Sequence, residues 1–295
     1  MPFRLFRSAV CVVGAALALA LGVHAEEGLQ QSRTLYVSAM NNQAQPVAGL
    51  QATDFAVQED NQLREVTEVK EATEPAAVVL MVDTSKEATE FANDIRTAVT
   101  AFVNDLLGAS PQSQIALAEI GGAGMIAEKL TSDKARLLAA IPKLAPKPRA
   151  GQLVHEGLVE AARTLEKVDT PRRFIVVFNI EPGVEESTMA FPRIADEVRK
   201  AQTSVWSFAV QKPGKLDHDD GRNALLDQLS GITGGLRVTI STGPALENVL
   251  RVAALNISHQ YAVTIARPDG KPADRTAVAV KREGIVAKAL SWGPK

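Results

Sequence analysis

Hydrophobic positions along this chain follow two rhythms, and the rhythm changes twice. Between residues 34 and 74 apolar and polar positions alternate, in TLYVSAM (34–40), DFAVQED (54–60) and LREVTEVKEA (63–72). A period of two is that of a strand with one buried face. Asn41-Asn42-Gln43 reads as a turn, and Asp60-Asn61 predicts a tight hairpin into the third strand. The segment 34–74 therefore predicts a small antiparallel β unit, too short to be comfortable alone and expected to pack on the next part of the chain.

From Ala76 the texture becomes strand, helix, strand. AVVLMVD (77–83) is apolar throughout, as in a strand buried on both faces. Residues 87–107 place Phe91, Ile95, Val99, Phe102 and Leu106 on one helical stripe. QIALAEI (114–120), GMIAEKL, RRFIVVFNI (172–180), SVWSFAV (204–210) and LRVTI (236–240) predict further strands. Helices are predicted after Asp133, at 152–166, at 188–202, over NALLDQLSGITGG and at 244–258. Asp133 can cap the first of these and Pro142 can close it. Such alternation implies a mostly parallel sheet, and right-handed crossovers put helices on both of its faces. The expected fold class is α/β, doubly wound and Rossmann-like, over residues 75–259. After His259 the period of two returns in YAVTIARPDG, RTAVAVKREG and IVAKALSW, so residues 260–295 predict short closing β strands.

The first 25 residues stand apart from both rhythms. Arg4 and Arg7 form a basic start, Ser8 to Gly22 is apolar, and Val23-His24-Ala25 ends in small-residue character before Glu26. This predicts a cleavable signal peptide cut after Ala25, with a polar, disordered linker at 26–33. The expected location is secreted or periplasmic, with no membrane insertion once the signal is gone. The single cysteine, Cys11, lies inside the signal. The mature chain would then have no disulfide, thiol nucleophile or cysteine metal site.

Composition narrows the function classes. Of 295 residues, 46% are hydrophobic and 4% aromatic, so the core must be aliphatic. The net charge is −2, and cleavage would leave 30 basic against 34 acidic residues, or −4. With no basic run, nucleic-acid binding has no electrostatic footprint. Leu216-Asp217-His218-Asp219-Asp220-Gly221 lacks the ligand alternation and closing glutamate of a calcium loop and reads as solvated acid. Gly121-Gly122-Ala123-Gly124 has no helix after it and is no dinucleotide motif. His155, His218 and His259 are scattered, and no serine sits in a nucleophile elbow, so no enzyme is expected, and one acting on envelope material ranks last among the readings.

In a doubly wound sheet ligands bind beyond the carboxyl ends of the strands, where strand order reverses. Three loops can meet there: Asp83-Thr84-Ser85-Lys86-Glu87, Ala150-Gly151-Gln152 and Asn179-Ile180-Glu181. VVLMVDTSKE resembles the first metal-site loop of von Willebrand factor A domains, whose pattern is Asp-x-Ser-x-Ser after a buried strand. LTSDKARLLAAI, RRFIVVFN and RNALLDQLSGITGGLRV resemble later parts of that family. PVAGLQATDFAVQEDNQ and ISHQYAVTIARPDGK with AVAVKREG resemble the flanking β segments of its secreted bacterial members.

The resemblance implies a protein-binding or adhesion module whose site holds a divalent cation. Carried over, Asp83 and Ser85 are kept, and Glu87 replaces the second serine. Gln152 stands at the threonine position, and the third-loop aspartate falls on Ile180 or its neighbours Asn179 and Glu181. Mg²⁺ needs near-ideal oxygen geometry, which a longer glutamate or glutamine disturbs. One expectation is therefore a vestigial site at Asp83, Ser85, Glu87, Gln152, Asn179 and Glu181, with no cofactor. Asp83 and Ser85 would cap the following helix, and Lys86 would pair with Asp83 or Glu181. The alternative is Ca²⁺ or Mg²⁺ at an altered site, through Asp83, Ser85 and Glu87 with help from Glu181. The expected partner is a protein of the cell envelope.

Overall fold

The computed structural model describes residues 31–122, 126–212, 220–268, 270 and 272–293. The signal segment with Cys11, the end of the glycine run and most of the acidic loop with His218 lie outside them.

The N-terminal strands are β1 (Gln31–Asn41), β2 (Phe55–Glu59), β3 (Gln62–Arg64) and β4 (Val66–Glu71). β1 starts at Gln31, so residues 31–33 belong to a strand and not to the expected linker. The hairpin between β2 and β3 has both Asp60 (φ 48°) and Asn61 (φ 66°) in the left-handed region that tight hairpins require. The single strand expected at 63–72 is instead two: β3 pairs with β2, and β4 pairs elsewhere. Changing sheets at a bend lets one segment contribute to two packed sheets.

The central sheet comprises β5 (Ala76–Val82), β6 (Gln114–Glu119), β7 (Ile126–Thr131), β8 (Arg172–Glu181), β9 (Ser204–Gln211) and β10 (Arg237–Ile240). Its order is β10-β9-β8-β5-β6-β7, parallel except for the edge strand β7. Strand order reverses between β5 and β8. All seven residues of β5 are buried. Val78, Leu80 and Val82 enter one core and Ala77, Val79 and Met81 the other. A strand with two apolar faces needs helices on both sides, and the chain supplies them. α1 (Ala92–Ala109), α2 (Lys134–Ala140) and α6 (Ala245–Ser258) cover the first face; α3 (Val154–Glu166), α4 (Phe191–Lys200) and α5 (Asp220–Ile232) cover the second.

α2 begins where its sequence signal placed it. The Asp133 carboxylate accepts the Arg136 N–H at 3.1 Å, satisfying one of the donors a helix start leaves open. Asp133→Ala is expected to lower stability by about 1 kcal/mol, measured by urea denaturation.

The closing strands are β11 (Tyr261–Arg267), β12 (Thr276–Val280) and β13 (Ile285–Lys288). They do not form a unit of their own. β1 lies between β11 and β13, β4 flanks β11, and β12 completes a three-stranded sheet with β2 and β3, all antiparallel. The two ends of the chain thus build one pair of sheets around a third core that includes Leu35, Val37, Val57, Val263 and Ile265. Phe55 and Tyr261 meet edge to face there, with ring centres 5.7 Å apart.

One carboxylate pins these sheets together. Glu59, fully buried, accepts from Arg33 at 2.8 Å and from Arg267 at 2.9 Å, and Arg64 lies 3.4 Å away. Burial alone would raise the Glu59 pKa. Hydrogen bonds and charge from Arg267 and Arg33 outweigh burial and hold it below the usual carboxylate value.

Candidate functional site at the carboxyl edge of the central sheet

Asp83 follows β5 directly and is 1% exposed. Its neighbours are N–H groups. Oδ1 accepts the Ser85 amide at 2.8 Å; Oδ2 accepts the Ile180 amide at 2.7 Å and Nε2 of Gln152 at 2.6 Å. Burial pushes the Asp83 pKa up, and hydrogen bonds from Ser85, the Ile180 amide and Gln152 only partly oppose it.

Gln152 joins the three loops. Its Nε2 also donates to the Ile180 carbonyl at 2.8 Å, and its Oε1 accepts Nη1 of Arg222 at 2.6 Å. Two acceptors on one side and a guanidinium on the other fix the orientation of the amide. The Gln152 backbone is held as well: its N–H donates to the Val184 carbonyl at 2.7 Å, and its carbonyl accepts the Glu186 N–H at 2.8 Å. Gly183 closes over the side chain, where any Cβ would lie 2.5 Å from Nε2. A buried chain therefore runs from Arg222 through Gln152 to Asp83, with all three residues at most 1% exposed.

The other expected positions depart from this chain. Ser85 occupies the N-cap of a 3₁₀ turn at Lys86–Phe91, but its hydroxyl makes no capping bond. That hydroxyl is buried without a well-formed hydrogen bond, although Ser85 is among the groups that hold the Asp83 charge. The Asp83 carboxylate takes the Ser85 N–H and caps no α-helix. The expected pairing of Lys86 with Asp83 or Glu181 does not form: Lys86 is half exposed, and its ion pair is with Glu87 at 3.9 Å. Glu87 turns instead to Lys212, 2.8 Å away. Lys212 also meets Glu90 and lies 5.8 Å from the centre of the Phe91 ring. Burial would lower the Lys212 pKa, but the hydrogen bonds it donates to Glu87 and Glu90 prevail and raise it.

Glu181 and Asn179 belong to a second network. Oε1 of Glu181 lies 3.3 Å from Nδ2 of Asn179 and 3.4 Å from Nη2 of Arg237. Arg237 also donates to Ser207 and Asn223 and pairs with Asp227 at 2.9 Å. The sheet edge thus gathers Asp83, Ser85 and Gln152 into one cluster and Asn179 and Glu181 into the next, and it leaves Glu87 outside both.

Sequence patterning missed Arg222, Arg237 and Lys212. For Arg222 a signal existed. It precedes Leu225 and Leu226 by three and four residues, which places it on the inward stripe of α5 with Leu229. An arginine on a buried stripe must find partners.

The donor set does not fit a divalent cation. Mg²⁺ and Ca²⁺ take oxygen ligands, whereas the Asp83 carboxylate accepts from three N–H donors, and the buried oxygens left without a partner at this edge are the Ser85 hydroxyl and Oδ1 of Asn179. Among the described residues no group of three or more His, Cys, Asp or Glu side chains is arranged to hold a metal. The described histidines stand apart. His155 lines a 350 Å³ cavity with Phe191 and Leu225, and His259 sits at the end of α6 beside the Leu255 carbonyl.

No family model and no curated protein matches the sequence. Among solved structures, a von Willebrand factor type A protein from Catenulispora acidiphila superposes with a TM-score of 0.52 at 10% identity, covering 90% of this chain and 73% of that one. The chain has a von Willebrand factor A fold. Proximal thread matrix protein 1 of the mussel byssus is also similar, with a TM-score of 0.51 and 13% identity over 64% of this chain. The match spans about half of the mussel protein, 49% of its length. A form of that protein described as having a zinc-occupied MIDAS motif matches with a TM-score of 0.50 at 14% identity. The von Willebrand factor A fold puts the ends of β5 and β8 side by side at the reversal of strand order, and Asp83 and Ile180 meet there.

Proposed function

We propose that this chain is an exported, non-catalytic binding module of von Willebrand factor A type that captures a protein partner in the cell envelope without a cation. One observation carries the reading: Nε2 of Gln152 lies 2.6 Å from Oδ2 of Asp83, where the resemblance would seat a hydroxyl beside a metal. An amide N–H donor supplies partial positive charge to the carboxylate and cannot act as an oxygen ligand. Arg222 behind it supplies a full charge, so the buried network balances Asp83 internally. Where the mussel protein is described with zinc in its adhesion motif, this chain uses side chains.

Several observations support the rest of the reading. The loops around the network present Glu87, Glu90, Lys86 and Val184 at the surface, a mixed polar rim suited to a protein partner. The N-terminal signal pattern supports export, and no helix among the described residues is long and apolar enough to cross a membrane.

The test uses the mature chain. Titration calorimetry with Mg²⁺, Ca²⁺ and Zn²⁺ at millimolar concentration is expected to give no binding heat. Chelator is expected to leave both the melting temperature and partner capture from envelope extract unchanged. Saturable heat abolished by Ser85→Ala, or capture lost with chelator, would refute cation-free binding.

A further inference from the structure

The opposite edge of the central sheet holds a second feature, a cleft of about 490 Å³. One wall is formed by the starts of β8 and β9 and by Gly234 before β10. The other is formed by residues 33–36 of β1, by Gln260, and by Lys288–Leu290 at the end of β13. The cleft exists because the sheets built from the chain ends dock beneath the α/β layer, and it contains no residue of the Asp83 network. Boundaries between such layers are common places for ligand pockets, and the volume falls in the usual range for small-molecule sites.

Its charge is one-sided. Arg33, Arg172, Arg173 and Lys288 line it, against Asp169 alone among acids. Arg172 is buried and built into the wall: Nε donates to Gln260 at 3.1 Å, and the other nitrogens donate to the Glu74 and Ile257 carbonyls. Burial pushes its pKa down to about 10, with Glu74 and Tyr36 opposing, so it stays cationic at neutral pH. Arg33 shares Glu59 with two other arginines. Arg173 donates to the Ala201 and Val168 carbonyls at 3.0 and 2.7 Å. Neither Arg173 nor Lys288 forms an ion pair among the described residues.

Carbonyl oxygens orient a guanidinium without cancelling its charge. Glu74 offsets part of the Arg172 charge and Glu59 part of that of Arg33, which leaves Arg173 and Lys288 as the source of a net positive field in a chain of net charge −2. Beside these cations Pro171, Ala289 and Leu290 supply apolar surface, and Tyr36 and Ser204 supply hydroxyls. Burial and Glu74 push the Tyr36 phenol up to about 12, so it stays neutral and its O–H donates to the Glu74 carboxylate.

We propose that this cleft binds a small anionic amphiphile, a carboxylate or phosphate monoester on an apolar body, with Lys288 meeting the head group and Arg173 supplying the field behind it. Both head groups are oxyanions that a lysine recognises as a point charge. Occupancy is independent of the loops above the sheet.

Calorimetry on the mature chain tests this with four probes: octyl phosphate, octanoate, the neutral octyl glucoside and inorganic phosphate. Octyl phosphate or octanoate is expected to bind with a dissociation constant of about 1 mM or tighter. Octyl glucoside and inorganic phosphate are each expected to bind at least tenfold more weakly. The relative affinity of the two anionic probes distinguishes a phosphate-bearing ligand from a carboxylate. Lys288→Glu is expected to weaken the anionic probes tenfold or more and Lys288→Gln to weaken them less, both with an unchanged melting temperature. Equal affinity for neutral and anionic amphiphiles, equal affinity for inorganic phosphate, no heat, or indifference to Lys288→Glu would each overturn the proposal.

Discussion

Gln152→Leu is expected to destabilise the protein by about 3 kcal/mol in urea denaturation at pH 8. Leucine nearly preserves the volume but removes two donors and one acceptor. Oδ2 of Asp83 loses its 2.6 Å partner, the Ile180 carbonyl loses an N–H at 2.8 Å, and Nη1 of Arg222 loses an acceptor at 2.6 Å. Each buried group stranded in this way costs about 1–3 kcal/mol. The penalty should also depend on pH. Burial already raises the Asp83 pKa, so the folded state favours its proton relative to the unfolded state. Such a group lowers stability as pH rises from its unfolded pKa to its folded one, and the cost is complete above that. Removing Gln152 raises the folded pKa further, so the leucine variant should lose more stability at pH 8 than at pH 4. Equal stability of variant and parent at pH 8 would remove Gln152 from its role as the internal counterpart of Asp83.

Glu59→Gln is expected to cost more, about 4 kcal/mol, because it leaves Arg33, Arg64 and Arg267 around a neutral amide. Burial raises the Glu59 pKa, but its arginine hydrogen bonds prevail and the net shift is downward. A depressed folded pKa contributes stability that is present above the unfolded carboxylate pKa and lost as pH falls through the folded value. The parent should therefore lose stability on acidification below about pH 4.5, and the glutamine variant should show a shallower acid limb. Salt should matter little, since the carboxylate is fully buried. Parallel acid limbs would mean that Glu59 does not drive acid unfolding.

The central layer was legible in the sequence because its signals are local. β5 is apolar at every position, and helices such as α1 carry their buried residues at helical spacing. The terminal sheets were legible as strands but not as partners, since period-two patterning fixes which face is buried and says nothing about which strand lies alongside. Glu65 illustrates the limit: the apolar positions on either side of it look continuous, yet β3 and β4 enter different sheets. At the candidate site the three loops could be located from strand ends alone. The partners of their charged residues could not, because Lys212, Arg222 and Arg237 arrive from elements far away in sequence. Proximity in the chain pairs Lys86 with Asp83, but a half-exposed lysine gains little by leaving water for a buried acid.

The pairing of β1 with β11 sets residues 31–37 against 261–267. Closing so long a loop early would be slow, because chain entropy must be lost before any contact compensates for it. Strand β1 therefore waits during synthesis for β11, and the intervening α/β layer, once formed, brings the two within reach. The two antiparallel sheets act as a clasp that fastens only once β11 is made, and a molecule truncated before Tyr261 leaves β1 and β4 as open edges.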